Sequence, residues 1–407
     1  MLRATATLLA GGALAQALPL LLGPLLTRQY TPQDFGLYHL FAAVATNIAV
    51  VACGRYEFAL PLATDDAEAD VLRTLAWRLC LGVATLALLG GMGWALWQAA
   101  PWPVALGPAV LALGAVSLAT LWATRARAFR RLAIARVLQH GGGAALQALA
   151  GVWQIGVAGL VWAPVAAALA TAAWLRPPLN LRAPQRPTLR DVAKRHRDFP
   201  LLNTPHAFAG ALQDTLALAV LAAVIGAAAA GFWGLALRYL KAPATLVGGA
   251  VSQALYPQLA QHGPGATVAS RAAVRRVLLA MAAIALPFVA LLMWLGPMLF
   301  TALFGNAWAE AGGLARALAL YIGLHFIASP LAVVTMAWGA QAWALKLALV
   351  GQVVFVAALA LGVHLGGLAG AGWAVSVAMA GYFGFYFVAL ACWPVSSTTP
   401  TQPPGNA

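Results

Sequence analysis

Five charged side chains stand inside or at the end of long apolar runs: Arg55, Glu57, Asp214, Arg238 and Lys241. A charge at the centre of a membrane-crossing helix costs roughly 2.5–3.5 kcal/mol on insertion scales, so it faces a cavity, water or a partner. Arg238 and Lys241 are three residues apart and therefore share one helix face. At ~1.5 Å per residue they lie roughly 12–16 Å below the turn that opens their run. Asp214 lies about 18 Å below the same turn on the preceding run. An ion pair across that hairpin would neutralise one basic group and leave the other for an anion. The same three residues would serve equally as a structural lock. Arg55 and Glu57 are two apart, so a helix points them to different sides, about 30 Å from the opposite interface. Snorkelling is one reading of that pair and a charged mouth is the other. The carboxylates Glu57 and Asp214 could pair with these cations or carry a proton.

Other reactive groups are sparse. Cys53, Cys80 and Cys392 lie singly in apolar runs with no CxxC or metal spacing, so neither a disulfide framework nor a metal centre is expected. His39, His140, His325 and His364 are scattered and read as packed hydrogen-bonding residues. Gln16, Asn47, Gln147 and Gln213 suit either sugar hydroxyls or helix-to-helix bonding. No nucleotide-binding loop, HExxH or nucleophile motif occurs, so no catalytic residue and no cofactor is expected, and the chain reads as a non-enzyme.

The elements that must position these residues are apolar helices. The 407 residues are 62% hydrophobic and 8% charged, with mean hydropathy +0.83. A soluble domain of this size cannot bury so much apolar surface. Runs of about 20 residues match the ~30 Å hydrocarbon thickness, and the ~10-residue alternating strands of a membrane barrel are absent. Spans are expected at about 6–26, 36–61, 75–97, 104–123, 137–156, 159–175, 206–226, 231–255, 277–303, 314–337, 342–364 and 368–392. The start of the chain reads as an uncleaved first span rather than a signal peptide.

Of 24 Lys and Arg, only Arg28, Arg55, Arg238, Lys241 and Arg316 fall outside the N-terminus and alternate gaps. The other 19 mark the cytoplasmic side and place both termini there. That explains the formal charge of +14 without nucleic acid, since no basic stretch is interleaved with base-stacking aromatics. Arg28 and Arg316 read as interfacial anchors, and Tyr30, Trp97, Trp102 and Trp308 as an aromatic belt. The far-side gaps are too short for a soluble domain.

The proline-bearing gap 176–199 reads as a linker. It gives an N-terminal six-helix lobe at 1–180, a cytoplasmic linker at 181–199, a C-terminal six-helix lobe at 200–393 and a cytoplasmic tail at 394–407. The turns after the first and seventh spans are alike, each ending in a glycine beside aromatics: Gly36 with Tyr38, and Gly231 with Phe232 and Trp233. Two like halves are a common transporter plan.

Four segments carry a resemblance: TRQYTPQDFG at 27–36, GRYEFALPLATDD at 54–66, AGFWGLALRYLKAPATLVGGAVSQALYPQ at 230–258 and FGNAWAEAGGLARAL at 304–318. In order and spacing they resemble the oligosaccharide flippases of the polysaccharide transporter family. These are O-antigen-type exporters of the multidrug/oligosaccharidyl-lipid/polysaccharide (MOP) superfamily. The resemblance implies an all-α integral membrane protein with about 12 transmembrane helices, in two six-helix lobes around a central cavity. It implies that polyprenyl-pyrophosphate-linked oligosaccharide repeat units cross the bacterial inner membrane by alternating access, for surface polysaccharide or lipopolysaccharide biosynthesis. Its partners would be that lipid carrier, the bilayer and other polysaccharide-assembly proteins. Arg55, Arg238 and Lys241 would line the cavity and meet the pyrophosphate. The competing reading is a multidrug or metabolite cation antiporter of the same superfamily. Such cavities tend to be acidic, whereas the embedded balance here is basic.

Overall fold

The computed structural model describes residues 2–175, 187–261 and 265–395, leaving aside the side chains of residues 2–10, 202 and 206. Among the described residues every regular element is helical and no strand occurs. The chain is a multi-pass, all-α integral membrane protein, and among the described residues eight helical segments are long and apolar enough to cross a membrane.

The chain packs as two compact units, Met1–Leu235 with Phe300–Ala309, and Ala236–Leu299 with Glu310–Ala407. The first holds α1 (Leu2–Gln29), α2 (Pro32–Ala52), α3 (Asp66–Gln98), α4 (Leu106–Arg125), α5 (Phe129–Arg136), α6 (Gly143–Val152), α7 (Val157–Trp174), α8 (Leu189–Arg195) and α9 (Thr204–Val224). It also takes the first residues of α10 (Ala227–Ala260) and the last of α11 (Val268–Phe304). The rest of these two helices lies in the second unit with most of α12 (Ala309–Ala317), then α13 (Ala319–Ala328), α14 (Ala332–Ala337) and α15 (Gln341–Ala391). Of the expected linker and tail, residues 181–186 and 396–407 lie outside the described residues.

Local chemistry sets the helix ends. Thr31 and Asp34 form a reciprocal capping box, and Pro32 opens α2 with its φ already helical. Asp65 caps α3 by accepting the Glu68 amide at 2.7 Å. The helix expected over 36–61 is cut short, because α2 stops at Ala52 and a 3₁₀ turn, Tyr56–Leu62, follows. Two residues in the left-handed region end it, Gly54 and Arg55, both at φ +60°. In α15, Gly366 and Gly367 leave helical geometry, and this kink divides it into the two rods expected at 342–364 and 368–392.

Within the first unit the two glycines matched by sequence meet each other. A Cβ on Gly36 would overlap the Ala227 carbonyl, and one on Gly231 would overlap the Pro32 carbonyl, so α2 and α10 start backbone against backbone. Trp308 seals that crossing, packing edge-on against Phe35 at 5.0 Å and Phe232 at 5.8 Å. Its indole donates to the Thr27 carbonyl at 3.0 Å. Trp308, Trp102 and Tyr30 are therefore buried rather than interfacial, whereas Trp97 is exposed as a belt residue would be. A buried indole or phenol needs a partner, and Tyr30 donates to the Gln147 carbonyl at 2.7 Å. In the second unit, serines bridge the helices. Ser329 donates to the Ala244 carbonyl, Ser252 to that of Pro330 and Ser376 to that of Ala317.

Candidate functional site

The Arg55–Glu57 turn is built by the end of α2. Gly54 is required there, since a Cβ would press the Leu79 side chain at 3.1 Å in a conformation that L residues rarely adopt. Arg55 takes that conformation with a side chain, at a cost of about 1–2 kcal/mol. Its guanidinium carbon sits 4.0 Å over the Phe58 ring, a cation–π contact. The Arg55 Nε is buried and has no hydrogen-bond partner among the described residues. Glu57 is 2% exposed, and its Oε2 likewise lacks one. Burial pushes the Glu57 carboxyl up to about 7, against the opposing pull of its own backbone amide and the Arg55 charge. The pair is not splayed on a helix, as the spacing predicted, but gathered in a tight turn.

That turn is clamped on two sides. Arg125, at the end of α4, donates through Nη1 to the Leu60 carbonyl at 3.2 Å and the Ala63 carbonyl at 2.7 Å, and through Nη2 to Asp66 at 3.0 Å. Tyr56 donates its hydroxyl to the Ala193 carbonyl in α8 at 3.3 Å. Beside it, buried Glu68 accepts from Arg195 at 2.7 Å and lies 3.2 Å from the His196 ring nitrogen. Several of the cationic loop residues thus fasten the interhelical segments and are not only topology markers.

In the second unit Arg238 and Lys241 lie within α10, both partly buried. The Lys241 Nζ is 6.0 Å from the centroid of the Tyr321 ring. Asp214 belongs to α9 in the first unit and is exposed. The structure thus gathers Arg55 and Glu57 in one unit and Arg238 and Lys241 in the other.

Asn47 and Gln147 take the helix-to-helix alternative rather than the sugar-facing one. Asn47 donates to Thr215 at 3.5 Å, and Gln147 to the Leu160 carbonyl at 2.9 Å. The Cys53 thiol, taken singly from sequence, donates to the Gly114 carbonyl at 3.8 Å, and the Cys80 thiol packs against the same glycine. Among the described residues no group of three or more His, Cys, Asp and Glu could hold a metal ion.

The first unit also holds a cavity that motif reading missed. Its volume is about 230 Å³, between α2, α4, the π turn Val137–Gly142 and α7. Tyr38, Thr46, Gln139 and His140 supply its polar wall. The available signal was Gln139-His140 beside three consecutive glycines, Gly141–Gly143, in an apolar run.

A family model described as polysaccharide biosynthesis protein matches residues 25–312. No curated protein matches the chain. Among solved structures, one described as an inward-facing multidrug resistance MATE family transporter of the MOP superfamily is similar at a TM-score of 0.66 and 16% identity. The similarity covers 92% of this chain and 95% of that one. An outward-facing structure described in the same terms gives 0.59 and 15%, covering 95% and 96%. A MOP superfamily transporter from Pyrococcus furiosus, described as having a binding pocket of reverse polarity that suggests a different function, gives 0.56 and 16%, covering 95% and 96%. At these identities the likeness is one of fold.

Proposed function

Since the chain belongs to the polysaccharide biosynthesis protein family and carries the fold of MOP superfamily transporters, we infer that it flips polyprenyl-pyrophosphate-linked oligosaccharide repeat units. The carrier would move from the cytoplasmic to the outer leaflet of the bacterial inner membrane, supplying surface polysaccharide or lipopolysaccharide synthesis. Both termini face the cytoplasm in this reading, and other polysaccharide-assembly proteins deliver and consume the substrate. In this reading the chain works by alternating access, as two six-helix lobes joined at 181–199.

The observation that carries this reading is the sign of the embedded charge. Arg55, Arg238 and Lys241 outnumber Glu57 and Asp214, and burial pushes the Glu57 carboxyl up to about 7, so its negative charge is only partial at pH 7. An anionic pyrophosphate cannot cross hydrocarbon unpaired, and such a basic lining compensates it. A binding pocket of reverse polarity, described as suggesting a different function, occurs in the P. furiosus transporter of the same fold. Glu57 is the proton-accepting group best placed to couple transport to pH, with Asp214 as a pairing group.

Arg238→Ala combined with Lys241→Ala should abolish surface polysaccharide while the protein inserts at normal levels. Wild-type polysaccharide in that double variant would sink the assignment. The MATE-like fold favours cation antiport as the second reading. Drug resistance conferred in a pump-deficient host, with no glycan phenotype, would select it.

A further inference from the structure

The cavity in the first unit sits midway along α2. Tyr38 and Thr46 lie about 9 and 21 Å from the Pro32 end at ~1.5 Å per residue, and Thr46 about 9 Å before the break at Ala52. Its opposite wall is the π turn, a wide turn found preferentially at functional sites. Glycine explains how that turn fits. A Cβ on Gly141 would collide with Leu18 of α1, whereas one on Gly143 would meet Pro164 of α7 at ordinary contact distance. The bare Gly141 face lets α1 close on the turn, while Gln139 and His140 line the open space.

The chemistry of the wall is selective. Phenol, hydroxyl, amide and imidazole each donate and accept hydrogen bonds, as sugar hydroxyls do. Tyr38 and Phe41 add ring surfaces for the apolar side of a pyranose. None of the described lining residues is a carboxylate, lysine or arginine, so the cavity is built for neither a cation nor a phosphate. At about 230 Å³ it is smaller than the ~300–1,000 Å³ pockets that take drug-sized ligands, which suits a single ring.

We propose that this cavity is a saccharide subsite. Tyr38, Thr46, Gln139 and His140 receive one sugar ring of the lipid-linked glycan and contribute to the choice of repeat unit. The proposal rests on the flippase reading above, with the charged residues holding the pyrophosphate and this cavity reading the sugar.

The test uses the full-length protein in nanodiscs. Binding is measured for bare undecaprenyl pyrophosphate, and for the same carrier bearing one glucose, galactose, N-acetylglucosamine, N-acetylgalactosamine or rhamnose. At least one glycosylated carrier should bind about tenfold tighter than the bare one, as a few neutral hydrogen bonds would give. The near-isosteric Gln139→Leu and the cavity-filling Thr46→Trp should each reduce that ratio to near one. No advantage for any sugar in wild type, or an unchanged ratio in both variants, overturns the subsite and leaves the carrier reading standing. Failure of wild type to bind any carrier, with tight binding of a cationic dye, overturns the flippase reading and the subsite with it.

Discussion

The turn after α2 and the basic face of α10 contrast in how each unit holds embedded charge. At the turn the helix stops. Arg55 adopts left-handed geometry, its Nε and the Glu57 Oε2 are buried without partners among the described residues, and Arg125 clamps the following carbonyls. On α10 the helix runs through Arg238 and Lys241 without interruption. A left-handed side chain costs about 1–2 kcal/mol and an unsatisfied buried polar atom about 1–3. Such costs persist where the surroundings over-determine the geometry, and they cluster at switching and binding sites. The turn is thus a strained element held in place by its surroundings, whereas the α10 face carries its two cations on unstrained helix.

The largest way to break this contrast is to release the clamp. Arg125→Leu would leave the Leu60 and Ala63 carbonyls without their charged donor and Asp66 without its partner. Hydrogen bonds to charged groups contribute about 1.5–3 kcal/mol each where buried, so a loss of about 3 kcal/mol is expected. The midpoint of unfolding in SDS–dodecylmaltoside mixtures would report it. A loss below about 1 kcal/mol would mean that the turn holds its shape without Arg125, and the strain argument would fail.

Glu57 sharpens the contrast through pH. Its carboxyl titrates near 7 in the folded protein against an ordinary value of 4.5, because burial disfavours the charged form. Below about pH 4.5 it is protonated both folded and unfolded and makes no difference. Between 4.5 and 7 the folded state binds the extra proton, so stability falls as pH rises, and above 7 the full penalty remains. That penalty is about 3 kcal/mol at most. Glu57→Gln should remove this component of the pH slope, unfolding like wild type near pH 4.5 and later than wild type at pH 8. Parallel profiles for the two proteins would rule Glu57 out as the titrating group. Transport in the variant should likewise lose its pH dependence between 5 and 8.

Much of this was legible in the sequence. Hydropathy and the positive-inside partition point to an all-helical membrane protein, and the glycine-aromatic turns at Gly36 and Gly231 mark a genuine backbone contact. What escaped was decided by tertiary packing. Apolar composition continues smoothly to Leu62, so nothing in its periodicity announces the break at Gly54 and Arg55. Trp308 and Tyr30 have the composition of interfacial anchors, and only the chain packed over them buries them. His140 reads as an isolated polar residue until the π turn places it, with Gln139, in the wall of a cavity. Asn47 and Gln147 are equal to them in composition and opposite in role, because their partners lie on neighbouring helices.

The smallest expected effect discriminates best, because the contrast predicts different stability costs for the same substitution at its two ends. Arg55→Gly removes the left-handed penalty of about 1–2 kcal/mol and forfeits a cation–π contact of about 0.5–1. It also gives the unfolded chain the extra freedom of glycine, which offsets most of the remaining gain. Its stability should therefore stay within about 0.5 kcal/mol of wild type. Arg238→Gly places glycine inside a continuous helix with no strain to relieve, and should cost about 1 kcal/mol. Both variants delete a cation and should impair polysaccharide export, so stability separates them where function does not. If Arg55→Gly were instead the more damaging of the two, the guanidinium would be holding the turn together, and the turn would be a structural lock rather than a strained element.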